Sequence, residues 1–326
     1  FDIYLDTNSN PTTKVANDIS ALTYTPTNLA INTKYYWKVV ATDPSGNNTS
    51  KVMNFTYMGT AWSYQYTDGK FMTETVSVSA NGEYIIAGSS EAEAFLFKKN
   101  SNVPVGNYTL HSDSCYWVES TSISSNGRYI VVGTARSNGC NSGSNAGAIH
   151  FIDRDNSSAG WSYSINKYVN SVAISEDGEY IVAGTSEQKV YLFHRNSNSP
   201  VWSYSMGSSQ YGSVSGVDIS ADGQYIVAVG QSTTDGIAVF DRTSGTPFWE
   251  TSANFAYVSM SSDGEYFVAG TSSGNTNGNG KIELYETIDD DGESDKKWSY
   301  TTSGNIQSNN AISLSSDGEY IAVGSA

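Results

Sequence analysis

Few side chains in this 326-residue sequence could do chemistry. There are two cysteines, Cys115 and Cys140, and three histidines, His111, His150 and His194. The cysteines can bridge if their Cα atoms come within about 7 Å. The alternative is a pair of free thiols, as in a cytosolic protein. The histidines share no spacing, and His194 falls at the end of a strand where other units of the chain carry Lys98, Asp153 and Asp241. His194 reads as a surface repeat position and not a ligand. Asp289, Asp291 and Asp295 cluster around Gly292 and offer the hard oxygen donors that Ca²⁺ prefers. That loop is shorter than the about 12-residue loop of helix–loop–helix calcium sites and lacks a closing bidentate Glu, so a solvated acidic loop is the competing reading. Ca²⁺ is the only cofactor the sequence offers a site for. There is no Gly-x-Ser-x-Gly elbow, no His-Glu-x-x-His and no phosphate-cradling glycine loop. The expectation is a protein that is not an enzyme.

The elements that position these residues come from a repeat. Ser79-Ala-Asn-Gly-Glu-Tyr-Ile-Ile-Ala-Gly88 recurs, with small changes, from Ser124, Ser175, Ser220, Ser261 and Ser315. The turn glycines Gly82, Gly127, Gly178, Gly223, Gly264 and Gly318 are separated by 45, 51, 45, 41 and 54 residues. In the third unit Val172–Ser175 alternates as a short strand, and Glu176-Asp-Gly178 makes a tight hairpin. Strands follow from Glu179, from Lys189 and from Val201. The second is apolar on both faces, as a strand buried between two layers must be. Four strands in 40–50 residues predict an all-β fold, a β-propeller of four-stranded blades. Trp62-Ser-Tyr64 matches the outer-strand signal at Trp161, Trp202 and Trp298, yet precedes every turn. Residues 61–66 are therefore expected to close the ring as an orphan outer strand. Five blades are complete, a sixth begins near residue 311, and seven are expected in the whole protein. Both ends read as cut.

These residues carry a resemblance. The Ser-x-Asp-Gly-Glu-Tyr hairpin is similar to WD-like and YVTN-type surface propellers of archaea and bacteria. The segment Val239-Phe-Asp-Arg-Thr-Ser-Gly-Thr-Pro-Phe-Trp249 looks like a pyrroloquinoline-quinone-type repeat. Residues 1–59 resemble the C-terminal part of a fibronectin type III domain, a partial immunoglobulin-like β-sandwich, with the propeller over 60–326. Tyr35 would be its tyrosine-corner residue, Trp37, Val39 and Ala41 would point inward, and the last strand would begin at Lys51.

The composition narrows the partners. A net charge of −16 leaves no basic stripe for nucleic acid, and an anionic membrane would repel the chain. No apolar run is long enough to span a bilayer. Tyr116, Trp117, Tyr168, Tyr211, Phe255 and Tyr257 gather before the inner strands, around one mouth of the channel. They could stack on sugars or anchor a protein, or else cap the inter-blade core. Asn47, Asn48, Asn54, Asn107 and Asn156 head glycosylation sequons, relevant to an exported chain. The reading is an extracellular or cell-surface structural, adhesive or binding protein. Its loops would meet a protein, a glycan or another copy. A quinoprotein-like or polysaccharide-acting enzyme and a surface-layer or filament subunit are the alternatives.

Overall fold

The computed structural model describes residues 1–20, 23–30, 33–43, 46–57, 62–65, 72–113, 115–136, 146–207, 212–230, 236–252, 254–271, 280–288, 292, 294–302, 304, 306 and 312–324. The chain divides into two compact units, Phe1–Ser63 and Tyr64–Ala326.

The first unit holds β1 (Asp2–Asp6), β2 (Lys14–Ala16), β3 (Thr33–Asp43), β4 (Gly46–Thr49) and β5 (Met53–Tyr57). They make one antiparallel sheet in the order β2-β1-β3-β4, with β5 pairing the other end of β3. The expected sandwich is thus one sheet among the described residues. Ile3, Leu5, Trp37, Val39 and Phe55 line a cavity of about 610 Å³ on its apolar face. Trp37 and Val39 point inward as period 2 requires, while Ala41 is not among the lining residues. The Tyr35 hydroxyl accepts a hydrogen bond from Ala30 N at 2.9 Å.

The second unit repeats one meander. Its sheets are β6 (Met72–Val78) with β7 (Tyr84–Ser89), β8 (Glu93–Lys98) and β9 (Gly106–Thr109); and β10 (Tyr116–Ile123) with β11 (Tyr129–Arg136), β12 (Gly147–Asp153) and β13 (Trp161–Ile165). The third blade is β14 (Val169–Ile174), β15 (Tyr180–Thr185), β16 (Lys189–His194) and β17 (Trp202–Ser205). The fourth is β18 (Val214–Ile219), β19 (Tyr225–Gly230), β20 (Ile237–Asp241) and β21 (Trp249–Thr251). The fifth is β22 (Tyr257–Met260), β23 (Tyr266–Gly270), β24 (Lys281–Glu286) and β25 (Asp295–Thr301), and a hairpin β26 (Ile312–Leu314) and β27 (Ile321–Val323) follows. This is a β-propeller architecture.

The repeated motif is a closed hydrogen-bond circuit. In the third blade Ser175 Oγ donates to Asp177 Oδ1 at 2.6 Å and accepts from Tyr180 N at 3.0 Å. Asp177 Oδ1 also accepts from Glu179 N at 2.8 Å. Gly178 N donates to Ser175 O, and the glycine takes φ +73°, which its missing Cβ allows. Asn81 and Asn126 make the same bonds in their turns, so the motif needs an oxygen acceptor and not a charge.

Blades stack through the same residues. A Cβ on Gly178 would lie 2.2 Å from the Tyr129 ring of the preceding blade, and on Gly127 2.4 Å from Tyr84. Guanidinium groups of the same neighbouring blade also cover those rings: Arg195 lies 4.9 Å from the Tyr129 ring centre and Arg154 4.2 Å from that of Tyr84. Consecutive turns are joined by Ser125 N–Glu176 O, Glu176 N–Ala221 O, Ala221 N–Ser262 O and Ser262 N–Ser316 O bonds of 2.9–3.0 Å. The core accordingly lies between blades: Val182 and Leu192 of the third pack with Val214, Ile226 and Phe240 of the fourth. Tyr64 follows this rule without a blade of its own. Its ring sits 5.0 Å from Phe97 and 5.7 Å from Phe95 of β8, as Tyr163 of β13 sits 5.1 Å from Phe193 of β16. Residues 62–65 are not in strand hydrogen bonding, but Tyr64 fills an outer-strand place.

Candidate functional site

The antiparallel meander sorts the loops onto two faces. The Ser-x-Asp-Gly turns and the loops between third and fourth strands share one, here the lower face. The loops entering each inner strand and those linking second to third strands share the other, the upper face. The turn circuit repeats in every unit, so the hairpin turns of the lower face are alike.

The inner strands line a cavity of about 590 Å³. The pairing of inner and second strands skips a single residue in three blades, between Val118 and Ser120, Val169 and Ser171, and Val214 and Gly216, and slips more widely in the first, between Met72 and Val76. A bulge leaves one residue unpaired and re-aims its side chain. Those residues are Glu119, Asn170 and Ser215, and all three line the cavity. Identical backbone geometry therefore presents three different chemistries. Glu119 accepts from Trp117 Nε1 at 2.5 Å, and burial raises its pKa against that bond. Asn170 Nδ2 donates to Val214 O at 2.9 Å, and Ser215 Oγ donates to Phe255 O at 3.2 Å.

Lower in the cavity a column of hydroxyls joins neighbouring inner strands. Ser122 Oγ accepts from Ile174 N at 3.3 Å, and Ser259 Oγ from Leu314 N at 3.1 Å. Asp218 occupies the same place in the fourth blade. Its Oδ2 accepts from Met260 N at 2.8 Å and its Oδ1 from Ile219 N at 2.9 Å. Burial outweighs both bonds and pushes its carboxyl up to about 6. An acid in a column otherwise of Ser and Ala was legible by aligning the units. The bulges were not, because the slip hides the alternation that marks a strand.

The aromatics expected at the mouth divide. Trp117 and Tyr168 meet there, ring centres 5.9 Å apart. Tyr116 stacks on His111 at 3.7 Å. Phe255 is 1% exposed and packs with Val227, Phe267 and Tyr285 between the fourth and fifth blades. Tyr257 is 8% exposed, among Val268 and Ile312. Phe255 is inter-blade core, whereas Tyr257, though mostly buried, also lines the cavity. Tyr211 lies outside the described residues.

Two of the histidines that share no spacing meet: His111, in the loop after β9, and His150, on β12, bring their Nε2 atoms to 3.3 Å. The loop entering the second blade folds against the third strand of that blade. His111 Nε2 also lies 3.1 Å from Thr134 Oγ1, and His150 Nδ1 lies 3.1 Å from Ser162 Oγ. Burial, reinforced by the neighbouring His111, pushes His150 down to about 3; burial also lowers His111, with Asp113 opposing. Beside them Arg136 reaches the Tyr116 ring at 5.4 Å and Asp113 at 3.4 Å. Cys115 N donates to Asp113 Oδ1 at 3.0 Å. Among the described residues no cysteine is free; Cys140 lies outside them. So do Asp289 and Asp291, while Asp295 opens β25 and is exposed. Among the described residues no three His, Cys, Asp or Glu side chains form a metal-binding group. Asn48, Asn54, Asn107 and Asn156 are exposed, and the Asn47 side chain lies outside the described residues.

Comparison with known proteins supports the fold. A WD domain, G-beta repeat model matches residues 161–194, the span from β13 of the second blade through β16 of the third. The match begins on an outer strand, so the sequence unit is out of phase with the blade, as Tyr64 also implies. Among solved structures 1391 chains match, which marks a common architecture. One, titled "Crystal Structure of Mitotic Checkpoint Complex", has a TM-score of 0.61 at 13% identity, covering 90% of this chain and 78% of that one. Likeness at that identity concerns the fold alone. No curated protein matches the sequence. The chain forms a WD-like β-propeller.

Proposed function

We propose that this chain is a binding module whose upper propeller face presents a polar mouth and an aromatic rim to a protein partner. One observation carries the reading. Three inner strands repeat the same bulge, and on it stand Glu119, Asn170 and Ser215, beside the Trp117–Tyr168 pair. Variation on a constant frame is how a scaffold acquires specificity, and aromatic anchors beside polar groups suit protein recognition. The recurring Asp needs no catalytic role, since Asn81 and Asn126 do its work. WD-type folds occur in protein assemblies such as the checkpoint complex of the matching structure.

The setting is proposed to be extracellular or at the cell surface, with a Cys115–Cys140 bridge holding the upper insert of the second blade. The absence of a free cysteine among the described residues and the exposed sequon asparagines are consistent with it. The Tyr35–Ala30 bond has the form of a tyrosine corner and supports a fibronectin type III-like first unit serving as spacer.

Photo-crosslinking tests the face. A crosslinking residue placed at Tyr168, above, should yield adducts with one protein species from the native source. The same residue at Thr246, in the lower loop between β20 and β21, should yield none. Adducts from Thr246 alone, or adducts only with glycan, would overturn the reading. Alkylation tests the bridge: intact mass should show no thiol labelling until a reductant is added.

A further inference from the structure

We propose that His111 and His150 form a two-histidine site for a divalent transition-metal ion, Zn²⁺ foremost, at the upper corner of the second blade. Two imidazoles at about 2.0–2.1 Å from one tetrahedral ion have their nitrogens about 3.3–3.4 Å apart. The Nε2 atoms here are 3.3 Å apart. The ring centres are 5.1 Å apart and the planes cross at 87°. That separation is shorter than an end-to-end Nε2–H···Nε2 alignment gives, so the two nitrogens meet at an angle, as they do around a shared ion.

The surroundings fit. His150 Nδ1 lies 3.1 Å from Ser162 Oγ, and a proton held there would leave the Nε2 lone pair for an ion. Without metal, His111 Nε2 lies against both His150 Nε2, at 3.3 Å, and Thr134 Oγ1, at 3.1 Å. Loading requires the His111 proton at Nδ1, which turns Nε2 from Thr134 Oγ1 to the ion. Tyr116 stacks flat on His111, with planes 5° apart, and fixes that ring. Asp113 offsets the charge of Arg136 nearby. Two protein ligands leave two positions of a tetrahedral ion for water or for a donor from a partner.

The test uses the untagged full chain with Zn²⁺ and Co²⁺ as probes. Zn²⁺ should raise the melting temperature saturably, and Co²⁺ should bind at one equivalent with the visible spectrum of a tetrahedral nitrogen–oxygen site. His111→Asn, on a half-buried loop residue, should abolish both effects while retaining the metal-free melting temperature within a few degrees. His150→Gln should do the same if it folds. His194→Asn should leave binding unchanged. Absence of Zn²⁺ and Co²⁺ binding at millimolar metal, or binding that persists in His111→Asn, would overturn the proposal.

Discussion

At Asp218 a carboxylate stands in a column of hydroxyls, and the difference has a sign. Its folded pKa of about 6 lies above the ordinary 3.8. Between those values the folded chain holds a proton that the unfolded chain has lost. The residue's contribution to stability therefore falls as pH rises through that window. Asp218→Ser keeps an acceptor for Met260 N, as Ser259 does for Leu314 N. Urea denaturation should find the variant more stable than the parent by about 1–3 kcal/mol at pH 7.5, with the gap closing near pH 4. Equal stability at both pH values would contradict the assignment. The retention of a costly acid at the cavity wall agrees with a role in recognition.

The turn element allows backbone strain and packing to be separated. Gly82 and Gly178 take nearly the same φ, +67° and +73°. A Cβ on Gly82 meets nothing within 4 Å, whereas one on Gly178 meets the Tyr129 ring at 2.2 Å. Gly82→Ala should cost about 1 kcal/mol, the left-handed penalty alone. Gly178→Ala should cost about 1–3 kcal/mol more, the price of overpacking. Equal costs in chemical denaturation would refute the Tyr–Gly stacking. These turns were legible because Ser, Asp, Gly and Tyr each make a fixed bond at a fixed spacing. β16 fell where the sequence placed it, at Lys189–His194. β14 began three residues earlier than the alternation indicated, at Val169, because the bulge at Asn170 interrupts period 2. The His111–His150 pair was invisible for another reason: its members lie 39 residues apart on a loop and a third strand, and only the folding of that loop against the second blade brings them together.

At the scale of the molecule, stability lies in blade-to-blade contacts, and Tyr64 is a contact supplied from outside the five complete blades. Tyr64→Ala should cost about 2–3 kcal/mol by removing a ring from Phe95 and Phe97. Hydrogen exchange in β8 should accelerate before exchange in β16; an unchanged β8 would show that the residue closes nothing. The same layering repeats one hairpin turn along the lower face, while the bulge residues that line the cavity differ from blade to blade. The most direct test of that division is hydrogen–deuterium exchange of the chain with and without its crosslinked partner. Protection is predicted at residues 110–119 and 166–170, with none at the turns 79–84 and 175–180. Protection of those turns, with the upper loops unchanged, would contradict the account.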